Sequence, residues 1–200
     1  MPDSTPSDER LIDDWLPAYA VRDVATRVVH GEPGTVFEAA KQLDLLGDPL
    51  IRSLFAVRQV PGKVIDWYRG MAPEAESADE FTVKSLTESE GGFVLLEEAP
   101  DRELVLGAAG RFWSPRAQFR AITAEEFRTY AVTGDARAAL SLRVAPASGA
   151  GQSRVSFEVR VAPIGRGAGW SFRAYWTLIG RFSHMIRVRA LERLARELRQ

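Results

Sequence analysis

The sequence predicts an α+β fold: a curved antiparallel sheet of about six or seven strands, with one long C-terminal helix laid across it and two short helices after the first strand. Three observations carry this. Arg137–Val144 and Arg154–Val161 both alternate apolar and polar residues, the period of a strand with one dry face. The stretch Trp170–Arg199 reads as a single amphipathic helix, and it comes after all the strands. Between residues 31 and 55, glycine and proline cut the chain into two short helical segments directly after the first strand.

Taken in order, residues 1 to 18 are a polar, proline-bearing arm in which Leu11, Ile12, Trp15 and Leu16 can form one amphipathic turn that docks through Trp15. The rest, 19 to 200, reads as a single domain. Ala20–His30 is the first strand, rich in β-branched residues. After Gly31-Glu-Pro-Gly34, residues 35 to 46 form a helix, and a second short one begins at Pro49, a favoured first-turn residue. From Phe81 the period becomes two. Phe81–Thr87, Phe93–Glu97 and Glu103–Trp113 form a meander joined by short turns. Thr123-Ala-Glu-Glu126 has the form of a capping box opening a helix that runs to about Tyr130. On the last two strands Leu140, Leu142, Phe157 and Val159 share the dry face, and Arg137, Ser141, Arg154, Glu158 and Arg160 share a face expected to be wet.

Composition excludes several functions. With no cysteine there are no disulfides, thiol nucleophiles or thiolate metal sites, which fits a reducing, cytoplasmic location. Two histidines, His30 and His184, do not make a histidine-rich metal site, and no metal or other cofactor is expected. Both are read as surface or satisfied residues. A net charge of −1 provides no field to gather nucleic acid. The N-terminus has no signal-peptide pattern, and no apolar run approaches the ~20 residues of a membrane span. The glycines of Gly165-Arg-Gly167-Ala-Gly169 lack the strand, helix and acidic partner of a dinucleotide site. Arginines 173, 181, 187, 189, 193, 196 and 199 of the last helix read as a solvated back face.

The order of elements, with Glu103-Leu-Val-Leu-Gly-Ala-Ala-Gly-Arg-Phe-Trp113 and with Tyr175-Trp-Thr-Leu-Ile-Gly-Arg-Phe-Ser183 opening the last helix, resembles the helix-grip superfamily over roughly residues 20 to 198. That superfamily includes START lipid-transfer domains, plant pollen-allergen proteins and bacterial polyketide cyclases. Within it the chain is most similar to bacterial members of unassigned function. The resemblance implies a hydrophobic molecule held under the long helix, and in some members cyclisation or dehydration by polar pocket residues.

A straight helix over a curved sheet cannot fill both ends equally, so a cavity is expected between them. The helix presents Phe172, Trp176, Ile179, Ser183, Ile186 and Ala190 to it. From the sheet, Leu106, Ala108, Phe112, Leu140 and Phe157 would line it; Ala108 and Gly110 give either close packing or a void. Phe93 and Leu95 are inward on their strand in one register, Val94 and Leu96 in the other, and this choice decides whether Glu97 is buried. Trp113, Phe119 and Tyr130 lie where a mouth would be, as core or as ligand contacts. Glu97, Arg111 and Tyr130 are the candidates for acid–base chemistry. The sequence thus points to a binder or carrier of a small hydrophobic molecule, as monomer or homodimer. The alternatives are a cyclase- or dehydratase-like enzyme on an aromatic or polyketide-type substrate, and an interaction module using the basic last helix.

Overall fold

The computed structural model describes residues 10–43, 82, 92–114 and 117–199. The fold is α+β. Its elements are α1 (Leu11–Trp15), β1 (Val21–His30), α2 (Pro33–Gln42), β2 (Phe93–Ala99), β3 (Glu103–Arg111), β4 (Gln118–Arg120), α3 (Ala124–Thr129), β5 (Ala136–Pro146), β6 (Gln152–Pro163) and α4 (Arg166–Glu197). The six strands form one antiparallel sheet in the order β1-β6-β5-β3-β2, with β4 pairing β3. Of the two short helices expected after the first strand, α2 is present; the second, and the strand expected at Phe81–Thr87, fall outside the described residues.

Helix α4 runs along β1 and β6, on the edge side of the sheet. It begins four residues before Trp170, because Gly165, at φ 87°, turns the chain out of β6 directly into the helix. The expected capping box is present on α3: the Thr123 hydroxyl accepts from the Glu126 N–H at 3.2 Å, and Glu126 accepts from the Thr123 N–H at 2.7 Å. β4 had no counterpart in the sequence reading, because three exposed residues have no periodicity to read.

The sheet is covered on both faces, which corrects the expectation of one wet face. Ile12, Trp15 and Leu16 pack with Leu96, Val105, Phe127 and Ala139 on the face away from α4. Several polar residues of that face are therefore buried, Glu103 at 0% exposure and Arg160 at 1%, while Arg154 is exposed as expected. They satisfy each other and the arm. Glu158 accepts from Arg10, Arg22 and Arg160 at 2.7–3.0 Å. Arg160 also donates to Asp13 at 2.6 Å and to the Leu16 carbonyl at 3.1 Å. Glu103 accepts from the Ser141 hydroxyl and the Leu11 N–H. Strand alternation reports which residues share a face; it cannot tell a solvated polar face from one whose charges are paired beneath a helix.

Two-sided cover also explains why the register of 93–97 was ambiguous. Phe93 and Leu95 point to the α4 side, opposite Ala108 and Leu106, and Val94 and Leu96 pack under α1. A bulge between Leu95 and Glu97 then places Glu97 opposite Val105.

Candidate functional site

On the α4 side the sheet presents three cross-strand rows, each followed here from β2 or β3 towards β1. The first, Ala108–Ala138–Val161, closes under Phe172. A third, Leu104–Leu142–Phe157–Ala25, closes under α2 and Ala190, Leu191 and Leu194 of α4. The residues named in these two rows are buried, while the ends of the first, Phe93 on β2 and Val21 on β1, are half-buried and Glu98, opposite Leu104 on β2, is exposed. Between them runs Leu95–Leu106–Leu140–Val159–Asp23. In that row only Leu106 is fully buried; Leu140 and Val159 are half-buried, and Leu95 is 38% exposed. The helix residues near the same level behave alike. Ile179, Ser183, Met185 and Ile186 are half-buried and Phe182 is 40% exposed. The expected asymmetry between the ends of the helix is thus replaced by closure at both ends and incomplete cover in the middle.

The N-terminal closure is aromatic. Phe172, with 0% exposure, contacts Phe112, Trp113, Tyr175 and Trp176 with centroids 5.4–6.3 Å apart. Phe119 extends this chain, 6.1 Å from Phe112 and 5.6 Å from Phe93. Five residues singled out in the sequence, Phe93, Phe112, Trp113, Phe119 and Trp176, therefore form one continuous aromatic wall, with Phe172 as its hub. Gly110 serves close approach: at φ 136°, it lies where a Cβ would stand 2.1 Å from the Gln118 carbonyl oxygen. Ala108, 1% exposed, lies in the row that closes under Phe172.

The three acid–base candidates are not brought together. Glu97 accepts the Trp15 indole N–H at 2.7 Å, on the α1 side of the sheet. Tyr130 donates to Asp135 at 2.6 Å; burial first, and then this carboxylate, raise the phenol above its usual range. Arg111 donates to the Gly134 carbonyl at 3.0 Å and reaches Asp135 only at 4.0 Å. Asp135, 1% exposed, also pairs with Arg120 at 3.3 Å. Tyr130 thus pins the loop leading into β5. Arg111 lines an open cleft of about 600 Å³ with Trp113, Ser114 and Tyr175, beside the start of α4.

One cluster was missed. At the β1 end of the middle row, Asp23 takes a hydrogen bond from Arg187, and its other oxygen lies 2.8 Å from His184 Nδ1. The carboxylate favours the tautomer with the proton on Nδ1, which leaves Nε2 as the ring's free functional atom. Arg187 is no part of a solvated back face: it is 4% exposed, donates to Ser183 at 3.0 Å, and leaves its Nε without a partner. Burial lowers its pKa, with Asp23 opposing. The signal was the i, i+3 spacing of His184 and Arg187, which puts both on one helix face; their acidic partner, 161 residues from His184, was not visible. An imidazole held by a carboxylate can move a proton, and adjacent guanidinium groups can hold an oxyanion.

Among the described residues no group of His, Asp and Glu could hold a metal ion, and no helix is long and apolar enough to cross a membrane. No family model and no curated protein matches the chain. Among solved structures, an uncharacterized protein from Bacillus thuringiensis is similar at 11% identity with a TM-score of 0.40, over 90% of this chain and 100% of that one.

Proposed function

We propose that the protein binds a small hydrophobic molecule between the sheet and α4, in the manner of a helix-grip carrier. The observation that supports this is the middle row: Leu140 and Val159, on the interior strands β5 and β6, are only half-buried and Leu95 at the β2 edge is 38% exposed, while Ile179 and Ile186 of α4 are half-buried. A core built only for stability would close there, because every exposed Å² of apolar surface forfeits about 25 cal/mol. The aromatic wall bounds the space on one side, and the cluster of α2 with the end of α4 bounds it on the other.

Native mass spectrometry of the purified chain tests this, with a long-chain fatty acid and a naphthalene derivative added as apolar probes. The expected result is a complex at one-to-one stoichiometry that Leu140→Asp abolishes and Leu140→Met preserves. Bare 22.1 kDa protein at all probe concentrations would overturn the reading.

A further inference from the structure

We propose a second, separate site: the groove between edge strand β1 and α4 binds an organic anion, an oxyanion attached to a planar apolar body. The groove holds about 440 Å³ and is lined by Arg22, Asp23, Trp176, Gly180, Arg181 and His184, with Thr177 beside them. It does not depend on the space under α4 being occupied.

The chemistry of the lining selects the ligand. Arg181, Trp176 and His184 all carry N–H donors or a cation, and the one carboxylate is already engaged. Asp23 receives Arg187 on one oxygen and His184 on the other, so its charge is compensated from the buried side and does not repel an anion. Arg22 walls the groove from β1, but its guanidinium turns to the opposite face of the sheet, where Nε and Nη2 donate to Glu158 at 2.7 and 3.0 Å, so the cation of the groove is Arg181. Arg181, one turn before Met185, is exposed on the helix. A flat apolar surface comes from Trp176. Its indole lies against Gly180 so closely that a Cβ there would stand 2.8 Å from the ring nitrogen, so glycine at 180 is what allows the ring to lie along the helix. Cation, indole face and indole N–H within one groove suit a planar acid better than either a bare ion or a neutral aromatic.

The test uses the whole protein, ¹⁵N-labelled, titrated with 2-naphthoate, 2-naphthyl phosphate and the uncharged 2-naphthamide. The indole N–H signals of the five tryptophans are followed, and Trp176→Phe assigns the one that matters. We expect saturable shifts at Trp176 with Trp15 unmoved, and binding of 2-naphthamide at least about tenfold weaker, since a charge-assisted hydrogen bond is roughly twice as strong as a neutral one. Naphthoate binding alone assigns a carboxylate ligand, and naphthyl phosphate alone a phosphate. Arg181→Gln should weaken the anion by about tenfold with the melting temperature unchanged, and Arg196→Gln, in the last turn of the same helix, should not weaken it at all. Equal binding of 2-naphthamide, an unaffected Arg181→Gln variant, or no Trp176 shift at millimolar probe would each overturn the proposal. Loss of the apolar complex in Leu140→Asp with naphthoate still bound would separate the two sites.

Discussion

Replacing Arg160 by methionine removes the centre of the ion network that docks α1 on the sheet. Its side chain is 1% exposed and donates to Glu158, Asp13 and two carbonyls of the arm, those of Ile12 and Leu16. Removing one partner of a buried pair costs about 3–5 kcal/mol because the other charge stays buried. Here the lower figure applies: Glu158 keeps Arg10 and Arg22, whose side chains are 29% and 41% exposed and bring partial hydration with them. A loss of about 3 kcal/mol lowers the melting temperature of a domain this size by roughly 6–12 °C.

The same network fixes a pH dependence. Burial raises the Glu158 carboxyl, but hydrogen bonds from Arg22 and Arg160 and their charges outweigh it and leave the group below its ordinary value of 4.5. A depressed carboxylate contributes stability that is complete above the unfolded value and lost as pH falls through the folded one. Calorimetry between neutral pH and pH 3 should therefore show a steeper acid loss in the wild type than in Glu158→Gln. The single variants Glu158→Gln and Arg160→Met should also couple, the double variant costing less than the sum. An Arg160→Met melting point within about 2 °C of wild type, or additive effects, would refute the account of a bound, charge-paired arm.

Two further outcomes follow from local geometry. Thr123→Ala deletes the acceptor of the α3 capping box and should cost about 1 kcal/mol by chemical denaturation, with Thr123→Ser restoring most of it. Gly110→Ala places a Cβ at φ 136° against the Gln118 carbonyl; amide exchange should then show β4 released from β3, whereas unchanged protection at residues 118–120 would count against the close approach.

The strands and the last helix were legible because their signal is local. Arg137–Val144 and Arg154–Val161 sort their side chains by a period of two, and β5 and β6 follow it. What lies over each face is not local. Glu158 and Arg160 looked like solvent-facing residues because their partners in the arm, Arg10 and Asp13, sit 148 and 147 residues away. Arg187 failed as a surface arginine for the same reason: its partner Asp23 is on β1, and nothing around Arg187 in sequence marks it as buried. The aromatic wall was half legible. Composition gathered Phe112, Trp113, Phe119 and Trp176 near one end, but the centrality of Phe172 depends on Gly165 launching α4 where it does.

The two faces of the sheet end in different chemical states, and that difference bears on where function resides. Under α1 the Glu158–Arg160 network is mutually satisfied, Glu158 with three arginine partners and Arg160 with two carboxylates and two carbonyls, although the buried Nε of Arg137 on the same face has no hydrogen-bond partner. A ligand there would have to displace the protein's own groups. Under α4 the balance is unfinished, with apolar surface open along the middle row and one guanidinium nitrogen of Arg187 unpartnered at its β1 end. Both deficits reduce stability, and on the proposed function a bound apolar molecule would relieve the first. They also meet at Asp23, whose ladder partner is Val159 of the open row and whose carboxylate holds His184 at the outer groove.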